Sequence, residues 1–246
     1  MTRPILTLRT VNPWNPQAVV FDMDGLLLNT EVLARRALRV AGTGLGMELP
    51  DALCEAMTGV PVDICHQLLL RYFGEDCATD TLIAGAARVM QAQIAGGKLH
   101  RMPGVGELLT HLQMRKIPRA VATSSSREKA LHHLTAAGLV DCFDTIVTRS
   151  DVAQGKPHPD LYVEAATRLG LPPGRCLALE DSYNGVRAAH AAGMPVVMVP
   201  DLLQPTAEMQ DICLAVAQDL HAVLARMQPA ARQPAGVAIQ HGRSHA

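Results

Sequence analysis

Residues 17–30 read QAVVFDMDGLLLNT. The first five, Gln17 to Phe21, form a short β-prone run that stops abruptly at Asp22. A second acid, Asp24, stands two residues later, just ahead of Gly25. Asp-Gly is a common turn pair, so these residues alone describe only a strand and its turn. Their weight comes from position: in an open parallel sheet ligands gather beyond the carboxyl ends of the strands, and this strand end carries two carboxylates.

Outward from there the chain changes character twice. From Thr30 to about Arg39 the residues are helix formers with amphipathic spacing, succeeded by a glycine-rich break, AGTGLGMELP (41–50). The GTGLG within it comes after a helix rather than a strand and precedes no Gly-Lys-Ser/Thr, so it reads as a linker and not as a nucleotide loop. Residues 51–95 look almost wholly helical, with Met57, Ile64, Leu68 and Leu69 placed to share buried faces. Met47, Met57, Met90 and Tyr72 are expected in core packing or on the inner face of this block, and Arg71 and Arg88 are the cations that could reach a ligand from it. After Gly96-Gly97 and Pro103-Gly104, expected helices at 105–115, 126–137, 159–169, 183–192 and 218–227 alternate with strands at 118–123, 144–148, 176–179 and 196–199 and an apolar run at 212–216. Short apolar runs between helices of about 10–12 residues signal a parallel sheet with helices on both faces.

The chain is therefore expected to be α/β, a Rossmann-like parallel sheet core made of residues 17–30 and 101–227, with an α-helical cap domain, 31–100, inserted after the first strand. Residues 1–16 hold three prolines and read as a loose arm. Residues 228–246, with Pro229, Pro234 and Gly236, read as a disordered tail.

Composition narrows the function. The 246 residues are 48% hydrophobic, enough to bury a core without disulfides or a structural metal. Lys and Arg number 22 against 23 acids, so no net positive field draws the chain to nucleic acid, and at 3% aromatics a base-stacking platform is not expected. Cys54, Cys65, Cys77, Cys142, Cys176 and Cys213 form no Cys-x-x-Cys pair and read as small buried hydrophobes in a reducing, cytoplasmic setting. The opening MTRPILTLRTVNPWNP reads as neither secretory signal nor membrane span, and no apolar run reaches about 18 residues, so no membrane partner is expected. The sequence does not speak to oligomeric state.

The residues at the end of each strand supply the chemistry. Asp22-Met23-Asp24-Gly25 stands after the first, Thr123-Ser124-Ser125-Ser126 after the second, Gly155-Lys156-Pro157 beyond the third, and Glu180-Asp181-Ser182 after the fourth. Four acids, a hydroxyl and a lysine thus converge on one rim. Two carboxylates about 4 Å apart repel by roughly 4 kcal/mol at an effective dielectric near 20, so the cluster needs protons or a cation. A hard, oxygen-only donor set suits Mg²⁺, which keeps some waters and borrows a phosphate oxygen. Thr123 and Lys156 remain for the other phosphate oxygens. Ser125 with Glu128 reads as a capping box for the helix at 126, and His132, His133, His158 and His190 lack metal-ligand spacing.

At these residues the chain resembles the haloacid dehalogenase-like superfamily, in its capped phosphatase and phosphosugar-mutase branch. The motifs stand in order as FDMDGLLLNT (21–30), strand-end Thr123, GKPHPD (155–160) and LEDSYNG (179–185), with AAGM (191–194) behind the last and MPGVGELL (102–109) at the return from cap to core. The resemblance implies Asp22 as nucleophile, forming an aspartyl-phosphate, and Asp24 as general acid and then base. Thr123, Ser124 and Lys156 would bind the phosphoryl group. Mg²⁺ would be held by Asp22, the backbone carbonyl of Asp24 and Asp181, with Glu180 beside it directly or through water. Gly25, Gly96 and Gly97 would serve as hinges for the cap.

Asp24 also sets the branch, because dehalogenases of the superfamily need no acid there. A cap lysine for Schiff-base chemistry is missing, since no lysine lies between Thr30 and Gly97. The β-phosphoglucomutases resemble the chain most closely, yet they carry a histidine a few residues after the first motif, where this chain has Ala34 or a neighbour, and an arginine just after the turn, where it has Thr58-Gly59-Val60-Pro61-Val62. The expectation is a phosphatase acting on a small phosphorylated metabolite, with a phosphohexomutase as the alternative and a catalytically silent phosphate-binding protein as the non-enzyme alternative. Asn29 stands where the family often has an acid.

Overall fold

The computed structural model describes residues 12–228 apart from 59 and 61; the expected tail from 229 on, most of the N-terminal arm, and Gly59 and Pro61 of the cap turn lie outside the described residues. The chain begins its sheet with β1 (Ala18–Phe21) and leaves it through four helices, α1 (Thr30–Gly44), α2 (Asp51–Ala56), α3 (Val62–Phe73) and α4 (Thr79–Ala95). It returns through α5 (Val105–Met114), β2 (Arg119–Ala122), α6 (Arg127–Ala136), β3 (Thr145–Val147), α7 (Asp160–Arg168), β4 (Cys176–Glu180), α8 (Tyr183–Ala191), β5 (Val196–Met198), α9 (Ala207–Ile212), β6 (Ala215–Val216) and α10 (Leu220–Met227). The six strands order as β3-β2-β1-β4-β5-β6, every pairing parallel, so β1 sits centrally between β2 and β4.

Burial explains the strand. All four β1 residues are fully buried, as a parallel strand covered on both faces must be. Val19 and Phe21 enter one apolar cluster with α5, α6 and α10 side chains such as Leu108, Leu134 and Val223. Ala18 and Val20 enter the opposite one with α7 and α8 side chains such as Leu161, Ala165 and Val186. The insertion has a core of its own, built on Leu49, Leu53, Cys54, Met57, Leu69 and Leu82.

Three local expectations are corrected. Helix α1 runs through the glycines to Gly44 instead of ending near Arg39. Gly42 is buried, and a Cβ there would overlap Leu49, so that glycine allows close approach rather than breaking the helix. The block at 51–95 is three helices, interrupted around 57–61 and 74–78. Helix α9 has no counterpart in the expected elements; Thr206 caps it by accepting from the Met209 N–H.

Among the described residues no helix is long and apolar enough to cross a membrane.

Candidate active site

The register of the sheet brings the motif residues to one edge. Asp22 directly succeeds β1 and its N–H donates to the Leu179 carbonyl of β4 at 3.0 Å. The next residues fold back tightly: the Leu27 and Leu28 N–H groups both donate to the Met23 carbonyl, and the Gly25 N–H donates to Leu28 O at 2.8 Å. Gly25 has φ +88°, a left-handed backbone that suits glycine, and a Cβ there would overlap the Asp181 carboxylate. This turn therefore sets two acids against a third.

Asp22, Glu180 and Asp181 form one buried group whose carboxylate oxygens lie within 4.8 Å of one another. Lys156 Nζ donates to Asp22 Oδ1 and, at 2.5 Å, to Glu180 Oε1, and its ammonium lies 5.2 Å from the Tyr162 ring centroid. The Lys156-Pro157 peptide bond is cis. Burial alone would lower the Lys156 ammonium's pKa, but the carboxylates of Asp22 and Glu180 outweigh it and raise it. Burial, then Glu180 and Asp24, push Asp22 well above the ordinary carboxylate range despite Lys156. Asp181 rises likewise through burial, then the charges of Asp22, Glu180 and Glu31.

Glu180 is fully engaged. Oε1 also accepts from Tyr162 Oη at 2.7 Å, while Oε2 accepts from the Asp181 and Ser182 N–H groups and from Ser182 Oγ at 3.0–3.1 Å. Ser182 in turn caps α8 by accepting from Gly185 N–H. Gly185 is needed here, because a Cβ would overlap the Glu180 carboxylate. Tyr162 escapes a reading of the sequence, where it is one more apolar position of a helix; only its hydroxyl, aimed at the rim, marks it.

Asp24 lies apart from that group. Its Oδ2 accepts from Ser125 Oγ at 2.7 Å and from Thr123 Oγ1 at 3.4 Å. Burial would raise the Asp24 carboxyl, but Lys129, the Ser125 and Thr30 hydroxyls and His133 outweigh it and lower its pKa. Ser125 is not the cap of α6: Ser126 is, accepting from Lys129 N–H, and the Ser125 hydroxyl is turned to Asp24. Thr123 is fully buried and its Oγ1 accepts from the Ser125 N–H, whereas Ser124 is exposed at the strand end. His133, expected at the surface or in the core, is buried with Nδ1 3.9 Å from Asp24 Oδ1. Burial, with Lys129 and His132, pushes its imidazole down to about 4 despite Asp24.

A cavity of about 710 Å³ opens over Asp24. Its core side carries Glu128, Lys129, His132 and His133, and its cap side Glu31, Ala34, Ala37, Ile83, Ala86, Met90, Gln91 and Ile94 from α1 and α4. Burial, then the charges of Asp24 and Asp201, raise Glu31 to about 7. Met90 thus faces the cavity, while Met47 and Met57 pack in the cap core and Tyr72 is exposed. Neither Arg71 nor Arg88 lines the cavity.

An all-parallel sheet with carboxylates, a lysine and a threonine at one edge, covered by inserted helices, defines a class of capped α/β hydrolases. The family model for haloacid dehalogenase-like hydrolases matches residues 16–193. The chain is 36% identical over 190 residues to a probable pseudouridine-5'-phosphatase of Drosophila melanogaster, covering 74% of this chain and 80% of that one. It is 33% identical over 180 residues to a phosphorylated carbohydrates phosphatase of Thermotoga maritima, covering 72% and 82%. The crystal structure of CbbY from Rhodobacter sphaeroides in complex with phosphate superposes with a TM-score of 0.73 at 28% identity, covering 86% of this chain and 99% of that one. The chain belongs to the haloacid dehalogenase-like hydrolase family and is a phosphoric monoester hydrolase.

Proposed function

We propose that this hydrolase is a Mg²⁺-dependent phosphatase that cleaves a small phosphorylated metabolite, most naturally a sugar phosphate, through an aspartyl-phosphate on Asp22. One observation carries the reading: three buried carboxylates share their pocket with a single lysine, and that lysine is already divided between two of them. Such a set fits a hard divalent cation, which lowers the mutual repulsion that otherwise drives Asp22 and Asp181 toward protonation. Asp22, Asp181 and the Asp24 carbonyl would hold the ion, with the hydrogen-bonded Glu180 reaching it through water. When bound, Mg²⁺ supplies charge neutralisation for the phosphoryl oxygens.

The residues divide the remaining work. Asp22 attacks phosphorus as the ester P–O bond breaks, and Asp24, which must enter this step protonated against its lowered pKa, gives that proton to the departing alkoxide. Asp24 then takes a proton from water, which attacks the acyl phosphate and frees inorganic phosphate and Asp22. Lys156, Thr123 and Ser124 hold phosphoryl oxygens, and electrostatic positioning dominates the acceleration. The cap excludes bulk water during the first step.

The cavity favours hydrolysis over mutase chemistry. Among the described residues no arginine lines it, and Lys129 is the lasting cation of that lining that a second phosphate would meet.

The test is a panel of phosphorylated metabolites assayed with Mg²⁺ and with chelator. Hydrolysis of at least one sugar phosphate is expected, lost on chelation and reduced by about 10⁴-fold or more in Asp22→Asn. Activity that survives both changes overturns the mechanism. Production of glucose 6-phosphate from β-glucose 1-phosphate, in place of glucose and phosphate, overturns the choice of hydrolase over mutase.

A further inference from the structure

The Asp24 carboxyl is held unevenly at its two oxygens. Oδ2 is held by Ser125 and Thr123, but Oδ1 is buried without a hydrogen-bond partner. Nδ1 of His133, itself buried and without a partner, lies 3.9 Å from that oxygen, while the Thr30 hydroxyl and the Lys129 charge also act on the carboxyl. The His133 side chain is only 4% exposed. A buried polar atom left unsatisfied is costly, and here one small closure relieves two such atoms together.

We propose that His133 is a positioning residue for Asp24. Its Nδ1–H donates to Oδ1 once the carboxyl settles by about one ångström, so the carboxyl is gripped at both oxygens, by β2-end hydroxyls on one side and by α6 on the other. This rests on the reading of Asp24 as general acid and base. His133 need not touch substrate: it fixes the direction in which Asp24 presents its proton. General acid–base catalysis depends on that direction, because the acid must lie within hydrogen-bond reach of the leaving oxygen.

The experiment compares two esters in the same protein sample, p-nitrophenyl phosphate and the best alkyl phosphate of the panel, by first-turnover release of the alcohol. Nitrophenolate leaves without a proton, whereas an alkoxide needs one. In His133→Leu, nitrophenol release is expected within about 2-fold of the wild type, and alcohol release is expected to fall by about 10-fold or more. His133→Asn, whose amide nitrogen can stand near Nδ1, should recover most of the loss. The ratio of the two rates is independent of how much protein is folded. Equal losses for both esters, no loss for either, or an Asn variant no better than Leu would overturn the inference while leaving the phosphatase reading intact. A wild type that cleaves neither ester overturns both.

Discussion

The core rim, which meets the cavity through Asp24, and the cap face of that cavity are built in opposite ways. On the rim almost every polar atom is spoken for: Glu180 accepts from Lys156, Tyr162, Asp181 and Ser182, and Gly25 and Gly185 are kept bare so that neighbouring carboxylates fit. The cap face opposite presents Ala34, Ala37, Ala86, Ala87 and Met90, with no hydrogen bond from those side chains. The rim is a polar network in which each part fixes another, so it tolerates little change. The cap face is mostly apolar, with Glu31 and Gln91 among its polar side chains. If the cap face selects the substrate, bond chemistry and substrate choice are separable in this molecule.

The severest challenge to that separation comes from Lys156→Met. If the rim is one coupled network, removing its cation leaves Asp22 and Glu180 facing each other unpaired, and breaking a buried pair costs about 3–5 kcal/mol. Chemical denaturation in chelator should show a loss of that order, and added Mg²⁺ should recover part of it. Activity should fall by about 10³-fold or more with every substrate alike, since the phosphoryl group loses a fixed charge. A variant as stable as wild type in chelator would show the rim to be a set of independent residues.

Ala86→Leu probes the other side. The alanine is buried on α4 at the cavity wall, and three added carbons take volume without touching the rim. Discrimination by filling an apolar pocket is worth about 1–3 kcal/mol. Bulky panel substrates should lose about 10–200-fold in kcat/KM, mostly through KM, while acetyl phosphate hydrolysis should stay within about 2-fold. A uniform fall across substrates would mean that cap and rim are not separable.

The same division explains what the amino-acid sequence discloses. Strand ends announce themselves, because a parallel strand buried on both faces must be apolar and its first charged residues mark the edge; Asp22 and the Glu180-Asp181 pair are readable for that reason, whereas Lys156 stands beyond Arg149 and Asp151 after β3 and is legible through the GKPHPD stretch instead. Ser125 is misread because a hydroxyl ahead of a helix looks the same whether it caps the helix or turns to an acid from a distant strand; only tertiary geometry separates Ser125 from Ser126. His133 and Tyr162 hide inside helical periodicity, where a buried polar tip on a mostly apolar side chain leaves no pattern. The cap alanines carry no chemical signal at all, so the substrate they shape is not legible in them.

The seam between the two regions gives the finest test of their independence, and Asn29 is its fastening. The chain leaves the rim at Asn29 and comes back past Lys98 and His100, and the asparagine holds both passages: its Nδ2 donates to Lys98 O at 3.2 Å and its Oδ1 accepts from His100 N–H at 2.7 Å. The backbone adds Asn29 N–H to His100 O at 3.1 Å, and Leu28 and Arg101 form a bridge one step nearer the core. Aspartate at this position would keep the acceptor for His100 but lose the donor to Lys98 O, setting two acceptors face to face; alanine would lose both side-chain bonds while the backbone bond persists. Each exposed bond contributes about 1 kcal/mol at most. Asn29→Ala should therefore lower stability by about 1–2 kcal/mol in denaturant titration, and Asn29→Asp by less. Because neither variant alters the rim or the cap face, the ranking of panel substrates should be unchanged, with kcat and KM shifting together by a few-fold as cap closure loosens. A reordered ranking would mean that the seam shapes the ligand cavity, and that rim and cap are tuned as one unit.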